Sequence, residues 1–309
     1  MISIFDLRTD PDPETVVAIA ALYGEQPRYK ALGPAAIRAC IGCWTCWWKT
    51  PGKCVHKDAL AESCADYVNA DKVILLMDTA QGFINHSAKA LIDRTIPHYH
   101  PYIEIVDGEC HHKARYERYP ELHFYYDNQN VTPEEAQVIE DYLYRTAYHF
   151  RSKAYRLHKH PAWTLTELRP RSPKNKALKP NASGGFIVQQ GFPESSQSYF
   201  LEAYFERLTQ RLQRDYIGTA IKGGIEGFQL QPAKGQEKIL APFVELVGSV
   251  LESGQMAAPI LAQLADPDYL SKKMLFLFRL LAPTGLTNLY WDKQLKQNNA
   301  FKQRFDRPY

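Results

Sequence analysis

Lys72-Val73-Ile74-Leu75-Leu76-Met77 is an unbroken apolar run behind a single lysine. A strand wet on one face alternates apolar and polar residues, whereas a strand covered on both faces does not. KVILLM therefore reads as the central strand of a parallel sheet. Its flanks agree. Asp58 is placed to cap a helix running through Asn69, and a turn over Asp78 to His86 leads into a helix from Ser87 (SAKALIDRTI). Further out, Met1 to Leu7 (MISIFDL) fits a buried strand, and Asp12-Pro13 offers an N-cap with proline at the first helical position. On the other side Glu121 to Tyr126 reads as a strand. Thr132-Pro133-Glu134-Glu135 then forms a capping box for a helix to about Phe150. Strands alternating with helices predict an α/β fold with a doubly wound parallel sheet and helices on both faces.

The remaining composition is that of a globular chain. Of 309 residues, 45% are hydrophobic and 23% charged, which excludes collagen-like and disordered classes. The 37 basic and 34 acidic residues are too evenly balanced to argue for nucleic acid. The most apolar run, Met274 to Pro283, is about half the roughly 20 residues of a spanning helix and contains Arg279, so no membrane span is expected. With no secretory signal visible, the expectation is a soluble, cytoplasmic protein.

Residues 169–185 (RPRSPKNKALKPNASGG) read as a linker between a first domain, 1–168, and a C-terminal α/β-to-helical region, 186–309. In the latter, Phe186 to Gln189 and Tyr216 to Ile221 read as strands. Between them a helix carries Leu201, Phe205, Leu208 and Leu212 on one face, and the chain is helical from about Gln236. Gly223, Gly224 and Gly227 read as bends after a strand. The amphipathic stretch at Lys272-Lys273-MLFLFRLL reads as a core or oligomer contact.

Four of the six cysteines, Cys40, Cys43, Cys46 and Cys54, are spaced C-x2-C-x2-C-x7-C. Three closely spaced thiolates can wrap one cubane while a more distant fourth closes the site. Zinc is less natural, because structural zinc sites more often use two separated pairs. Reduced, unliganded thiols fit the spacing equally. Cys64 on a helix and Cys110 in a loop read as structural. Trp44, Trp47 and Trp48 beside the thiols suit a subunit contact or a stacking role. The histidines, His98, His100, His111, His112 and His123 among them, lack helical metal-ligand spacing and read as surface or rim residues.

In a doubly wound sheet, ligands sit beyond the carboxyl ends of the strands. Three turns must converge there: Arg8 to Thr15, Asp78 to His86, and Asp127 to Asn130. Taken together, the run from Cys40 to Cys54, then Asp58, KVILLM, the turn Asp78-Thr-Ala-Gln-Gly-Phe83, Lys89-Ala-Leu-Ile-Asp93-Arg94 and Ile96-Pro97 resemble the flavodoxin-like NAD(P)H-dependent FMN reductases and the related iron–sulfur flavoproteins. The stretch Gly108 to Pro120 is similar to a subgroup of them. The likeness covers roughly residues 1–150.

The resemblance implies a five-stranded parallel sheet in a homo-oligomer, with FMN at its carboxyl edge, NAD(P)H as donor and a [4Fe-4S] cluster in some relatives. Thr79, Ala80, Gln81, Gly82 and Phe83 would approach the flavin ring, and Asp127 and Asn128 would supply a third loop. Arg8, Thr9 and Thr15 would meet the phosphate. This first loop departs from the family pattern. Pro11 and Pro13 remove amide donors, while Asp10, Asp12 and Glu14 bring negative charge toward a dianion, which costs about 1 kcal/mol per contact even in water. The reading is an oxidoreductase passing electrons from NAD(P)H through FMN. Its rivals are a protein-binding descendant without flavin and an electron carrier without its own substrate. No residue stands out for proton transfer, so no catalytic residue is assigned.

Overall fold

β1 (Ile2–Asp6) is buried at every position, because it lies inside the sheet that KVILLM centres. The computed structural model describes residues 1–159, 183–225, 228 and 231–309. Along the chain follow α1 (Pro13–Tyr23), β2 (Arg28–Ala31), α2 (Thr45–Trp48), α3 (Ala59–Val68) and β3 (Lys72–Met77). Next come the small hairpin of β4 (Thr79–Ala80) and β5 (Phe83–Ile84), α4 (His86–Asp93), and a second hairpin of β6 (Tyr99–Val106) and β7 (Glu109–Ala114). β8 (Glu121–Tyr126), α5 (Pro133–His149) and β9 (Tyr155–Lys159) complete this part.

The sheet runs β2-β1-β3-β8-β9, parallel at every pairing. Strand order reverses between β1 and β3, and β3 is central, as its sequence predicts. Period-two alternation sorts β1 between two helices. Ile2 and Ile4 join Ile74, Leu76 and the Val16 and Ile19 of α1 in one core. On the other face, Phe5 meets Tyr67 of α3 and Ser3 Oγ donates to the Asp66 carbonyl. Each fully buried aliphatic side chain here contributes about 1.5–3 kcal/mol. The helix starts follow the sequence. Asp12 and Asp58 cap α1 and α3, and Thr132 with Glu135 closes the capping box of α5. β2 has no apolar run to announce it, and α2 lies within a stretch that reads as loop.

The later elements are β10 (Ser183–Gln189), α6 (Tyr199–Arg211), β11 (Asp215–Lys222), α7 (Ala233–Ser253), α8 (Ala258–Ala265), α9 (Lys272–Leu281) and α10 (Leu289–Gln297). Contacts divide the chain into one unit of Met1–Glu104, His111–Thr166 and Leu281–Tyr309, and another of Ile105–Cys110 and Glu167–Leu280. Most of the expected linker, with Gly227, lies outside the described residues. Ser183 to Gly185, read as its end, begin β10. The return of residues 281–309 to the first unit has no sequence signal. In the second unit β10 and β11 pair in parallel, Phe186 stacks on Phe205 of α6, and Ala220, Leu246 and Leu264 form a small core. Gly223 is a close-approach glycine, since a Cβ there would stand 2.1 Å from the Pro193 carbonyl oxygen. Among the described residues, no helix is long and apolar enough to cross a membrane.

Candidate functional site

The three turns do converge at the carboxyl edge of the sheet. The Thr9 amide donates to Asp78 (2.6 Å), Thr79 Oγ1 donates to the Asp127 carbonyl (3.0 Å), and Asn85 Nδ2 donates to the Leu7 carbonyl (2.7 Å). These polar groups satisfy one another. Arg8 is buried and grips Asp6 with two bonds of 2.8 and 2.6 Å. Asp12 accepts from the Glu14 and Thr15 amides and from Thr15 Oγ1. The Thr15 hydroxyl, followed by the Glu14 amide, holds the Asp12 carboxyl below its ordinary range.

That arrangement bears on the expected phosphate contacts. A helix N-terminus binds a phosphate through amides left without intrahelical partners. Here the Asp12 carboxylate already occupies two of them, Pro11 and Pro13 contribute none, and Arg8 is neutralised. The loop as folded does not fit the FMN phosphate. Of the residues expected around the ring, Gln81 and Gly82 (φ 54° and 77°) form the two-residue turn between β4 and β5, and Phe83 is buried against Tyr142 of α5. Asp127 is buried and accepts from the Gln129 amide (2.9 Å), with Asn128 half-buried beside it.

The cysteine loop is a different environment. Its two ends are tied by one carboxylate: Asp58 accepts the Arg38 amide (3.0 Å) and both Arg94 Nη atoms (2.5 and 2.8 Å), and Arg94 also donates to the Arg38 carbonyl. Gly42 and Trp44 take left-handed backbone (φ 64° and 53°), which turns the chain sharply into α2. Gly52 (φ 83°) lets Pro308 approach, as a Cβ there would stand 2.8 Å from the proline ring. Trp47, only 1% exposed, anchors the loop from below. Its indole donates to the Ile96 and Tyr99 carbonyls, and its ring packs on Trp291 of α10 at 5.2 Å. Trp47 is thus a core residue of its own chain and not a subunit contact.

Cys40, Cys43, Cys46 and Cys54 line one cavity of about 60 Å³, together with Arg94 and His56. All four are free thiols. Burial, then repulsion from the other three sulfurs, pushes Cys46 up to about 12. Burial also raises Cys40, against the Gly42 amide that hydrogen-bonds its sulfur. Against burial, which lowers it, Asp58 and then Cys54 hold the Arg94 guanidinium above its ordinary range. Its Nε and the His56 Nε2 are buried without a hydrogen-bond partner among the described residues. As these side chains stand, no three His, Cys, Asp or Glu residues among those described converge on one ion. The arrangement is therefore not that of a mononuclear zinc site, in which all ligands meet at a single point.

The histidines correct a sequence expectation. His98, His100, His111 and His123 are buried, not on the surface or rim, and burial followed by the Arg115 charge lowers His98 to about 3. Cys64 is buried in α3 and Cys110 lies on β7 rather than in a loop. Sequence reasoning missed Arg94 as part of the thiol cavity, using it only within the stretch that carries the family resemblance. No protein-family model matches the chain, and no curated protein matches it.

Proposed function

We propose that this chain is a cytoplasmic electron-transfer protein of the flavodoxin-like class, holding a [4Fe-4S] cluster at Cys40, Cys43, Cys46 and Cys54. The observation that carries the reading is the shared cavity: four thiols line one small space. Each thiolate of a cubane binds a different iron, so its ligands surround a volume and do not meet at a point. The order β2-β1-β3-β8-β9 supports the flavodoxin-like class, being the 2-1-3-4-5 order of the doubly wound sheet.

When bound, the cluster supplies one-electron transfer. The chain's residues do the rest. The four cysteines give up protons to become ligands, and the Arg94 guanidinium offsets the charge this creates. The Arg94 guanidinium and the Gly42 backbone line the same cavity, so that the positive charge of Arg94 would favour the reduced cluster. Trp44 forms part of the cavity wall and stacks on Trp47 at 4.7 Å. Because Asp12 fills the phosphate position, the reading favours an electron carrier over an FMN reductase, and no hydride step is assigned. Anaerobic purification followed by reconstitution with iron and sulfide tests it. A brown protein with about four iron and four acid-labile sulfide per chain is expected. A colourless, iron-free protein after reconstitution would reject it in favour of a protein-binding role.

A further inference from the structure

Arg115 is only 1% exposed, yet its guanidinium keeps a full positive charge. A cation taken out of water is ordinarily matched by a carboxylate. Arg115 has none: among the described residues, every hydrogen bond of its side chain goes to a backbone carbonyl. Nε donates to Pro97 (2.9 Å), Nη2 to Tyr99 (3.3 Å), and Nη1 to Arg304 and Asp306 (3.2 and 2.8 Å). The carbonyls satisfy its N–H groups and leave its charge uncancelled. Burial pushes the group down from its ordinary value, against the opposing pull of Tyr116, Tyr119, Cys46 and Asp306.

The same bonds place the charge. Pro97, which holds Nε, is a residue of the thiol cavity wall. The Tyr99 carbonyl is shared with the indole of Trp47, the neighbour of Cys46. The Arg115 stem lies along Gly52, where a Cβ would stand 3.5 Å from its Cδ, and the Gly52 amide donates to the Cys46 carbonyl (2.9 Å). Arg115 is thus packed behind the wall and floor of the cavity, whereas Arg94 lines it. The two cations also differ in what answers them. Arg94 is paired with both oxygens of Asp58 (2.5 and 2.8 Å), while the charge of Arg115 is left over.

We infer that Arg115 is the buried counter-charge of the thiol cavity and holds up the reduction potential of the cluster there. The inference rests on the cluster reading. A cubane with four thiolate ligands is an anion, and accepting one electron adds one negative charge with no bond made or broken. A fixed cation behind a wall of low dielectric favours the more negative state, and dissolved counter-ions do not screen it as they screen a surface lysine. Arg115 makes no hydrogen bond to a sulfur among the described residues, so it acts as a positioning residue, through its field.

Redox titration of the reconstituted full chain with dithionite, followed by electron paramagnetic resonance of the fraction that carries cluster, tests it. Arg115→Gln keeps a hydrogen-bonding side chain and removes the charge. Its cluster should be at least about tenfold harder to reduce, a shift of about 59 mV for a one-electron couple. Arg115→Lys loses the forked bonding and keeps the charge. It should unfold at lower urea, as the glutamine variant does, yet stay within about threefold of the wild-type reduction equilibrium. A wild-type potential in Arg115→Gln, or an equal fall in both variants, would overturn the inference and leave the cluster reading standing. Where Arg115→Gln does not fold, a tenfold fall in Arg115→Lys overturns it alone. The wild-type protein gives a further check: raising NaCl from about 0.05 to 0.5 M should move its equilibrium less than tenfold, and a larger fall would assign the counter-charge to the surface and overturn the inference. A wild-type chain that takes up no iron rejects the cluster reading itself, and the inference with it.

Discussion

The carboxyl edge of the sheet and the cysteine cavity lie in the same unit, yet they treat their polar groups in opposite ways. At the sheet edge every anchor already has a partner: Arg8 holds Asp6, the Thr9 amide holds Asp78, and the α1 amides hold Asp12. Beside the cavity, Arg94 Nε and His56 Nε2 are buried with no hydrogen-bond partner among the described residues. An unsatisfied buried polar atom costs about 1–3 kcal/mol, so a fold retains one where something else satisfies it. At the sheet edge the chain's own groups pair with one another, whereas the cysteines line an open cavity. Fold position points to the sheet edge, and the proposed cluster points to the thiol cavity instead.

The sharpest way to break this contrast is to remove a thiol. Cys43→Ser should reduce iron bound after reconstitution to less than a tenth of the wild-type amount, with the circular dichroism spectrum of the apoprotein unchanged. Full iron content in that variant would show that the cavity is an ordinary void and that both regions are equally inert. A large structural effect is expected from Trp47→Ala. It removes a fully buried indole packed on Trp291 and bonded to two carbonyls, and should cost about 3–5 kcal/mol in urea unfolding. A loss below about 1 kcal/mol would mean that the loop floor does not depend on α10.

How much of this was legible depends on distance along the chain. Elements set by local chemistry were readable: the doubly covered strand KVILLM, and the caps at Asp12, Asp58 and Thr132. The thiols were readable as a set because their spacing is itself the signal. What escaped were pairings between distant segments. Nothing near Trp47 points to Trp291, and nothing near Arg94 points to the sulfur of Cys54. The histidines were misjudged because polarity is a poor guide to burial within aromatic clusters such as that of His98, Tyr67 and Tyr116. Asp12 is the instructive case. Its sequence supports two separate statements, that it caps α1 and that it repels a phosphate. Only the geometry joins them, since the capping carboxylate takes up the Glu14 and Thr15 amides that an anion at the helix start would need.

The tie that closes the cysteine loop has a pH signature. Burial acts to raise the Asp58 carboxyl, but the hydrogen bonds from Arg94 and from the Arg38 and Ala61 amides outweigh it and hold the group at about 2. A carboxyl depressed in the fold stabilises it above the unfolded-chain value of about 4, and that contribution disappears as pH falls toward 2. Asp58→Asn should therefore lose about 1–2 kcal/mol at pH 7, allowing for solvent screening, and the gap from wild type should narrow below pH 4. A pH-independent difference would assign the loss to the α3 cap alone.

The smallest effect tests the other half of the contrast. Asp12→Ala removes the cap of α1 and should lower Tm by only a few degrees, as loss of an exposed cap does. Its larger consequence is to free the Glu14 and Thr15 amides. Added FMN should leave its fluorescence unquenched with wild-type protein. It should show weak, salt-sensitive quenching with Asp12→Ala, because an anion can then reach the helix N-terminus that the aspartate had occupied. Tight FMN binding by the wild-type chain would show that the sheet edge rearranges to admit the phosphate, and that the sheet edge and not the cysteine cavity alone holds a cofactor.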